Sequence, residues 1–407
     1  MKEEPPALAK GWAECKEEYL GDTGRTYLDT ATKGMPPNES LTAMQDYYRA
    51  LRRQDSRSAT DQTISILEHL GEARRRAAAL INASEEEIAL VESTQQGIRV
   101  IAEALRLAPG SRVVTSDVEF LATVVPWRSL AGSAIRLEVV PGCAGAISLE
   151  ALEASLTSET RVVCVSATQE VSGATLDLVE LGRICRSHGV VSIVDATQYL
   201  GPRMLDVERT DLDCVVVGGS KWLCNPFGLG FLCVRAPLLE ELRPYTYGYM
   251  ALRLPPGGWS EFVANAAAST EVPAVFTSSA SKFEGGGTGP YLSALTLAAS
   301  LRGLEAVGPA RIEARTYELT GALMDGLVDA GMKIVTPRQL PERAGIVTFT
   351  TGDEQRDLRL YDVLLDEEVM IAYRKSGSTA GIRVSPYFYN SRDDIERCLD
   401  VVKGFTC

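Results

Sequence analysis

The chain has 407 residues, of which 45% are hydrophobic and 23% charged, which is typical of a globular protein with a large core. Its net charge of −13 argues against nucleic acid or an anionic membrane surface as a partner. No apolar run is long enough to span a bilayer, and the charged amino terminus does not resemble a secretory signal. Nine cysteines without a Cys-x-x-Cys pair, and only two histidines, indicate a cytoplasmic protein with reduced thiols and disfavour a metal site.

Strand-like and helix-like segments alternate between residues 87 and 235. Short β-branched apolar runs predict strands over residues 88–91, 113–115, 135–140, 162–165, 190–194, 215–217 and 230–235. Helical periodicity predicts helices over residues 96–107 and over the segment from Leu178 to the helix-ending Gly189. This βαβ order predicts an α/β fold with a mainly parallel sheet and helices on both faces.

The remainder of the chain predicts a second, smaller domain. Residues 254–259 and 284–290 are rich in Gly and Pro and are predicted loops. Later segments predict helices over 292–307 and 312–327, strands over 345–350 and 381–385, and a last helix from Asp393. We therefore expect an amino-terminal arm over 1–25, a large domain over 26–300 and a small α+β domain over 301–407.

The ends of two predicted strands carry the residues that indicate a chemistry. Asp195 directly follows the run 190–194, and Lys221 follows the run 215–217 after a Gly-Gly-Ser turn. Parallel α/β sheets place their sites at the carboxyl ends of strands, so the two side chains are expected to meet there. An acid that keeps a pyridine nitrogen protonated and a lysine that forms a Schiff base are what pyridoxal 5′-phosphate requires. Taken singly, a capping acid and a solvated lysine are the ordinary alternatives.

Short motifs follow one another in a fixed order along nearly the whole chain. They are Tyr27-Leu-Asp-Thr-Ala-Thr, residues 92–98, Glu119-Phe120 with Pro126-Trp127, residues 169–173, Asp195 with Gln198, Ser220-Lys221, Gly287-Thr288 and residues 383–390. Together they resemble the class V aminotransferase family of fold-type I pyridoxal phosphate enzymes, which includes cysteine desulfurases, isopenicillin N epimerase and C–S lyases. The resemblance implies the fold of that family, a small amino-acid substrate and a homodimer with shared active sites.

For the cofactor phosphate, the resemblance implies four contacts. Thr94 and Gln95 precede a predicted helix whose free backbone N–H groups and dipole suit an anion, with a plain helix cap as the alternative. Ser220 matches a donor to the phosphate. Thr288 matches a residue that reaches the phosphate of the neighbouring subunit, although this loop has an extra glycine. Gly218 stands where the family often has Ser or Thr, so one contact is expected to be missing or replaced.

For the cofactor ring, the resemblance implies a stacking residue, two polar contacts, a partner for the ring nitrogen and a covalently bound lysine. Phe120 takes the stacking position, with a core aromatic as the alternative. Gln169 and Gln198 match polar contacts near the pyridine hydroxyl. Asp195 matches the partner of the ring nitrogen, and Lys221 the residue that is bound covalently.

For the substrate, the resemblance implies that Arg383 binds the α-carboxylate, since its planar fork suits two parallel hydrogen bonds. A structural ion pair is the alternative. Cysteine desulfurases carry a nucleophilic cysteine on the loop before this arginine, whereas residues 374–380 contain none. They also place a histidine on the ring where this chain has Phe120, which leaves Lys221 as the only evident acid–base group.

These features predict an enzyme that acts at the α-carbon of an amino acid, by β-elimination of the C–S lyase type or by transamination. Epimerisation ranks behind them because it needs a second proton donor, such as Tyr373 or Tyr387. Cysteine desulfurase ranks lower because of the missing cysteine. A catalytically silent regulator is the alternative from another class, which the joint presence of Lys221, Asp195 and Arg383 disfavours. A nicotinamide enzyme is disfavoured because no Gly-x-Gly-x-x-Gly turn follows the first strand.

Overall fold

The computed structural model describes residues 10–131, 135–264, 275–284, 289 and 291–406. Thr288, predicted to bind the cofactor phosphate, lies outside these residues. The α-helices are α1 (Trp12–Tyr19), α2 (Asn38–Arg53), α3 (Ala59–Ile81), α4 (Thr94–Ala104), α5 (Leu121–Ala131), α6 (Leu149–Ala154), α7 (Leu178–His188), α8 (Val207–Thr210), α9 (Ala236–Glu241), α10 (Gly258–Ala264), α11 (Tyr291–Val307), α12 (Pro309–Asp329), α13 (Glu354–Asp366) and α14 (Arg392–Thr406). Within the described ranges, no helix is long and apolar enough to cross a membrane.

A mixed sheet of seven strands forms the centre of the larger part of the molecule, in the order β2-β8-β7-β6-β5-β3-β4. Its strands are β2 (Ile88–Val91), β3 (Arg112–Ser116), β4 (Arg136–Val140), β5 (Thr160–Ser166), β6 (Val191–Asp195), β7 (Cys214–Val217) and β8 (Gly230–Val234). The neighbours from β4 to β7 pair in parallel, and β8 is antiparallel to both β7 and β2. The predicted α/β fold with a mainly parallel mixed sheet is confirmed.

The central strands are rich in β-branched residues and are largely buried. All four residues of β7, Cys-Val-Val-Val, are buried, as expected for a strand covered by helices on both faces. The helix that precedes β6 has clear end signals: the Asp177 side chain accepts hydrogen bonds from the first turn of α7, and Gly189 ends the helix in a left-handed conformation. These residues determine where α7 ends and where β6 begins. They thereby determine which side chain stands at the end of β6.

A second, antiparallel sheet lies in the carboxyl-terminal part and has the order β12-β13-β10-β9. These strands are β9 (Lys333–Ile334), β10 (Val347–Thr350), β12 (Ala372–Ser376) and β13 (Thr379–Val384). Phe349 and Ile382, on the adjacent strands β10 and β13, belong to a core that this sheet shares with α12, α13 and α14. The division predicted between residues 300 and 301 falls within α11 and stays a prediction.

A short parallel pairing joins the start of the chain to this smaller sheet. Strand β1 (Thr26–Tyr27) pairs with β11 (Val369–Met370), and Asp29 then bridges to Ser385 just after β13. The segment after β1 is thereby held against the end of β13. This pairing brings residues from opposite ends of the sequence into one site.

Candidate active site

Lys221 lies at the end of a turn that only small residues allow. The turn follows β7, and a side chain at Gly219 would place its Cβ 2.3 Å from the carbonyl oxygen of Leu229. The segment after β1 packs on the same turn: the backbone N–H of Gly34 donates to Ser220 O at 2.9 Å, and a Cβ at Gly34 would lie 1.8 Å from Lys221 O. Glycine is therefore required at both positions, and the backbone of Lys221 is held on two sides.

Asp195 lies at the end of β6 and is buried. Its Oδ1 accepts a hydrogen bond from the backbone N–H of Thr197 at 2.9 Å. Burial raises the pKa of the Asp195 carboxyl, and the hydrogen bonds of Thr197 and the charge of Lys221 oppose this rise. Burial also lowers the pKa of Lys221, and the negative charge of Asp195 opposes that change. Each charge thus acts on the pKa of the other group, and the lowered pKa of Lys221 favours a neutral amine that can act as a base.

The amino terminus of α4 meets the Lys221 turn. Ser93 caps the helix, which begins at Thr94 and not at residue 96 as predicted. Thr94 Oγ1 lies 2.9 Å from Thr197 Oγ1, which in turn accepts a hydrogen bond from the N–H of Gly218 at 2.8 Å. The first N–H groups of a helix have no acceptor within the helix, so Thr94 and Gln95 offer an anion site beside the turn. Gln95 is exposed and Ser220 half-buried, so both are accessible from outside.

Phe120 is 44% exposed, so it is not the core aromatic that the alternative required. The Nζ of Lys221 lies 5.6 Å from the centre of its ring. The preceding residue, Glu119, is buried and accepts hydrogen bonds from the backbone N–H of Ser166 at 2.7 Å and from Gln169 Nε2 at 3.3 Å. Burial raises the pKa of Glu119 to about 7, although the hydrogen bonds of Ser166 and Gln169 act in the opposite direction. Glu119 thus connects the loop that carries Phe120 to the end of β5.

The two predicted glutamines differ in how their amides are used. Gln198 donates to the carbonyl oxygen of Ala31 at 3.0 Å and accepts from Trp222 Nε1 at 2.7 Å, so its side chain is already held by protein groups. The Oε1 atom of Gln169 is buried and has no hydrogen-bond partner among the described residues. An unsatisfied buried oxygen is uncommon and is a mark of a site that receives a ligand.

Arg383, on β13, is buried, with 1% of its side chain exposed. It donates to Thr32 Oγ1 at 2.6 Å and to the carbonyl oxygen of Glu170 at 3.0 Å. Two carboxylates compensate its charge: Asp29 at 3.4 Å and Glu170 at 3.5 Å. Burial lowers the pKa of Arg383, and Asp29 opposes this most strongly. The ion pairs foreseen as the structural alternative are therefore present, while the buried Nε has no partner in the described part of the chain.

Several residues at this place were not singled out from the sequence. Asp29 and Thr32 lie in the first motif and Glu170 in the fourth, but none had been given a role. Arg374, on β12, donates to Thr32 Oγ1 at 2.9 Å, so Thr32 joins both arginines. The charges of Glu170 and Arg374 both influence the pKa of Lys221, which places them near the same space. Asp29, Thr32 and Glu170 could have been noticed because they lie within the motifs. The motifs alone do not show which side chains these residues contact.

The comparisons with known proteins identify the family. The model of the family described as aminotransferase class-V matches residues 26–398. The chain belongs to this family. Among its relatives is a probable cysteine desulfurase of Pyrococcus abyssi, 26% identical over 394 residues that cover 93% of each chain. Another, of Halalkalibacterium halodurans, is also named probable cysteine desulfurase and is 28% identical over 401 residues, again with 93% of each chain covered.

A solved structure with the same fold supplies the comparison for the cofactor. A variant of C-DES with glycine covalently linked to its pyridoxal phosphate superposes with a TM-score of 0.84 at 19% identity, over 95% of this chain and 98% of that one. The cofactor of the chain is pyridoxal 5′-phosphate. The residues present fit this group: the buried Asp195 and the half-buried Lys221 follow two adjacent strands, α4 presents its open amino terminus, and the oxygen of Gln169 lacks a partner among the described residues.

The functional ranking drawn from the sequence is contradicted. It placed β-elimination or transamination first, epimerisation next, and cysteine desulfurase among the less favoured functions. The relatives over nearly the full chain are named cysteine desulfurases. The missing cysteine in residues 374–380 bears only on which group receives the sulfur. It does not by itself exclude the removal of sulfur from cysteine. One of the two tyrosines considered as the proton donor of an epimerase is unsuitable, because Tyr387 is completely buried against Trp222.

Proposed function

We propose that the chain removes the sulfur of cysteine, or of a closely related sulfur amino acid, and passes it to an external thiol. The observation that carries the proposal is the placement of Lys221 and Arg383. Burial lowers the pKa of both groups, and the charges of Glu170 and Arg374 act on both, so Lys221 and Arg383 belong to one site. Glu170 also accepts a hydrogen bond from Arg383. The names of the full-length relatives support cysteine as the substrate.

In this proposal Lys221 takes and returns the proton at the substrate α-carbon, for which its lowered pKa is suited. Asp195 keeps the cofactor ring nitrogen protonated, and Arg383 binds the α-carboxylate. The cofactor, when bound, draws electrons away from the carbon next to the substrate amine. An external thiolate attacks the substrate sulfur, the C–S bond breaks, and an S–S bond forms. Cysteine and a thiol thus give alanine and a persulfide, without an added oxidant.

The sulfur acceptor is taken to be external because of where the cysteines lie. The strands β12 and β13 are joined by a tight turn at Gly377-Ser378, in a segment that contains no cysteine. Cys224, near Lys221 in sequence, is completely buried, and burial raises the pKa of its thiol. Cys143 is the exposed one among the cysteines that the structure describes.

The remaining cofactor contacts complete the proposal. Thr94, Gln95 and Ser220 hold the phosphate, with the turn at the start of α4 as the anion site. Phe120 stacks on one face of the ring. Gln169 supplies its unpartnered oxygen, and Gln198 supports the ring edge from a side chain fixed by Trp222.

We also propose a cytoplasmic homodimer, in which Thr288 reaches the phosphate of the other subunit. Exposed aromatic side chains support an interface: Phe227 is 71% and Tyr245 76% exposed. Large exposed aromatics are enriched where protein surfaces meet. Light scattering tests this directly, since a monomer that is fully active at nanomolar concentration contradicts a shared site.

Product analysis tests the proposed reaction. The holoenzyme is incubated with L-cysteine and dithiothreitol, and alanine, sulfide, pyruvate and ammonia are measured. We expect alanine and sulfide in equal amounts, because the thiol accepts the sulfur and then releases it. Pyruvate and ammonia in amounts equal to sulfide would contradict desulfuration, as would a keto acid formed without sulfide.

Cysteine variants test the external acceptor. Cys143→Ser and Cys407→Ser, alone and combined, are expected to leave the rate of alanine formation with dithiothreitol unchanged. A large loss in one of them would assign the sulfur to that cysteine and overturn the external acceptor, while cysteine desulfuration itself would stand.

A further inference from the structure

Glu170 lies at the tip of a rigid turn between β5 and α7. The turn is closed by the N–H of Gln169, which donates to Ala174 O at 2.8 Å, and by that of Gly173, which donates to Gln169 O at 2.9 Å. Gly173 has a φ of +74°, and a Cβ there would lie 2.8 Å from the carbonyl oxygen of Ile346. The backbone at Glu170 is therefore fixed, and only its side chain is free to turn.

Glu170 contacts Arg383 twice. Its carbonyl oxygen accepts a hydrogen bond from Arg383 Nη1 at 3.0 Å, and its carboxylate Oε2 lies 3.5 Å from the same nitrogen. Burial lowers the pKa of Lys221 and raises that of Asp195; the carboxylate charge of Glu170 opposes the first change and adds to the second. The carboxylate is 22% exposed, in contrast to the buried guanidinium. Glu170 is thus the more accessible partner in this ion pair, and its charge also acts on Lys221.

Two carboxylates already pair with the Arg383 guanidinium, so a substrate carboxylate that binds there is a third anion at the same group. Asp29 is 3.4 Å away on one side and Glu170 3.5 Å away on the other. A bidentate carboxylate needs two adjacent N–H groups of the guanidinium, where Glu170 faces Nη1 and Asp29 faces Nη2. Like charges at such separations repel, and more strongly where water is partly excluded.

We propose that Glu170 is a specificity-determining residue that competes with the substrate α-carboxylate for Arg383. The inference rests on the proposed function, in which Arg383 binds an amino acid. Without substrate, Glu170 and Asp29 compensate the buried charge of Arg383. A buried guanidinium without such partners would destabilise the protein. The incoming carboxylate displaces the Glu170 side chain while its backbone contact remains. The effect falls on ligand affinity and KM, and not on kcat.

Binding of a matched pair of ligands to the holoenzyme tests the competition. L-alanine has the α-carboxylate but no leaving group, and ethylamine is the same molecule without the carboxylate. By titration calorimetry, Glu170→Gln is expected to lower the dissociation constant of L-alanine by about five- to tenfold, as loss of a like charge near 4 Å implies. The affinity for ethylamine is expected to stay the same.

Glu354→Gln is the matched control. Glu354 is exposed and pairs with Lys375 on the same hairpin, but it has no ion pair with Arg383. The substitution Glu354→Gln removes the same charge at a different place, so the affinity of this variant for L-alanine should match that of the parent. Unchanged or weaker L-alanine binding in Glu170→Gln overturns the proposal, as does an equal gain in Glu354→Gln or for ethylamine. Because L-alanine contains no sulfur, these results do not depend on whether cysteine is desulfurated.

Discussion

The two halves of the active site are built in different ways. The sheet half, Asp195 with Lys221, comes from the ends of two adjacent parallel strands, whose backbone sets both side chains. The hairpin half, Arg383 with its partners, is assembled from distant segments: Arg383 and Thr32 are 351 positions apart in sequence. The first half is fixed by buried backbone, and the second by a balance of side-chain charges. Substitutions should therefore abolish chemistry in the sheet half and adjust recognition in the hairpin half.

The largest effect is expected for Lys221→Ala. Loss of the general base should lower turnover by about 10³- to 10⁴-fold, the upper part of the usual range for such groups. The cofactor should remain bound, which its visible absorbance reports. Lys375→Ala is the control, since Lys375 is exposed and pairs with Glu354. Normal turnover in Lys221→Ala would refute the role of the lysine.

Asp195→Ala should have the next largest effect. Removing one partner of a buried charge pair typically costs about 3–5 kcal/mol. We expect this cost mainly in kcat, with cofactor occupancy nearly unchanged, because several other groups also hold the cofactor. Steady-state kinetics and absorbance of the same sample separate the two. If both the rate and the visible spectrum match the parent, Asp195 has no part in activating the ring.

Glu119 should make the stability of the protein depend on pH. Its pKa is about 7 when folded, above its ordinary value of 4.5, so the folded state holds a proton that the unfolded chain loses. The free energy of unfolding should then fall as pH rises between these two values, by about 3 kcal/mol in all. Urea unfolding at pH 5 and pH 8 should show a smaller decrease for Glu119→Gln than for the parent. An equal decrease in both, with Glu354→Gln as an exposed control, would show that Glu119 is not responsible.

The smallest effect is expected in the hairpin half. Arg383→Lys keeps the charge but loses the planar fork, so the apparent affinity for the amino acid should fall by about 1.5–3 kcal/mol, the range for a charged hydrogen bond. KM for L-cysteine and for its decarboxylated amine, cysteamine, is measured in both proteins. A parent that prefers cysteamine, or unchanged constants for L-cysteine in the variant, would make Arg383 purely structural.

The same contrast explains what the sequence was able to predict. The central strands, α7 and the meeting of Asp195 with Lys221 follow from local patterns: β-branched runs, a capping acid and glycines in turns. The hairpin half depends on the pairing of β1 with β11, which joins two-residue strands across the whole chain. No periodicity marks such short strands, so Asp29, Thr32 and Glu170 had no predicted partners.

The functional prediction failed for a related reason. It relied on two local departures, the missing cysteine in residues 374–380 and Phe120 in place of a histidine, and set them against the family features of the entire chain. Asp195, Lys221 and Gln169 lie outside that hairpin, at or just after the ends of β6, β7 and β5. We therefore expect the groups that act at the α-carbon and the group that receives the sulfur to be separable parts of the molecule.

Location of the cofactor on the chain tests the account most directly. Borohydride reduces the bond between the cofactor and its lysine, and peptide mapping by mass spectrometry then finds the modified residue. We predict the added mass on the peptide that contains Lys221, with none on Lys33 or on Lys282, whose pKa burial lowers to about 8. Modification of either of those lysines in place of Lys221, or of no lysine in an active sample, would contradict the account.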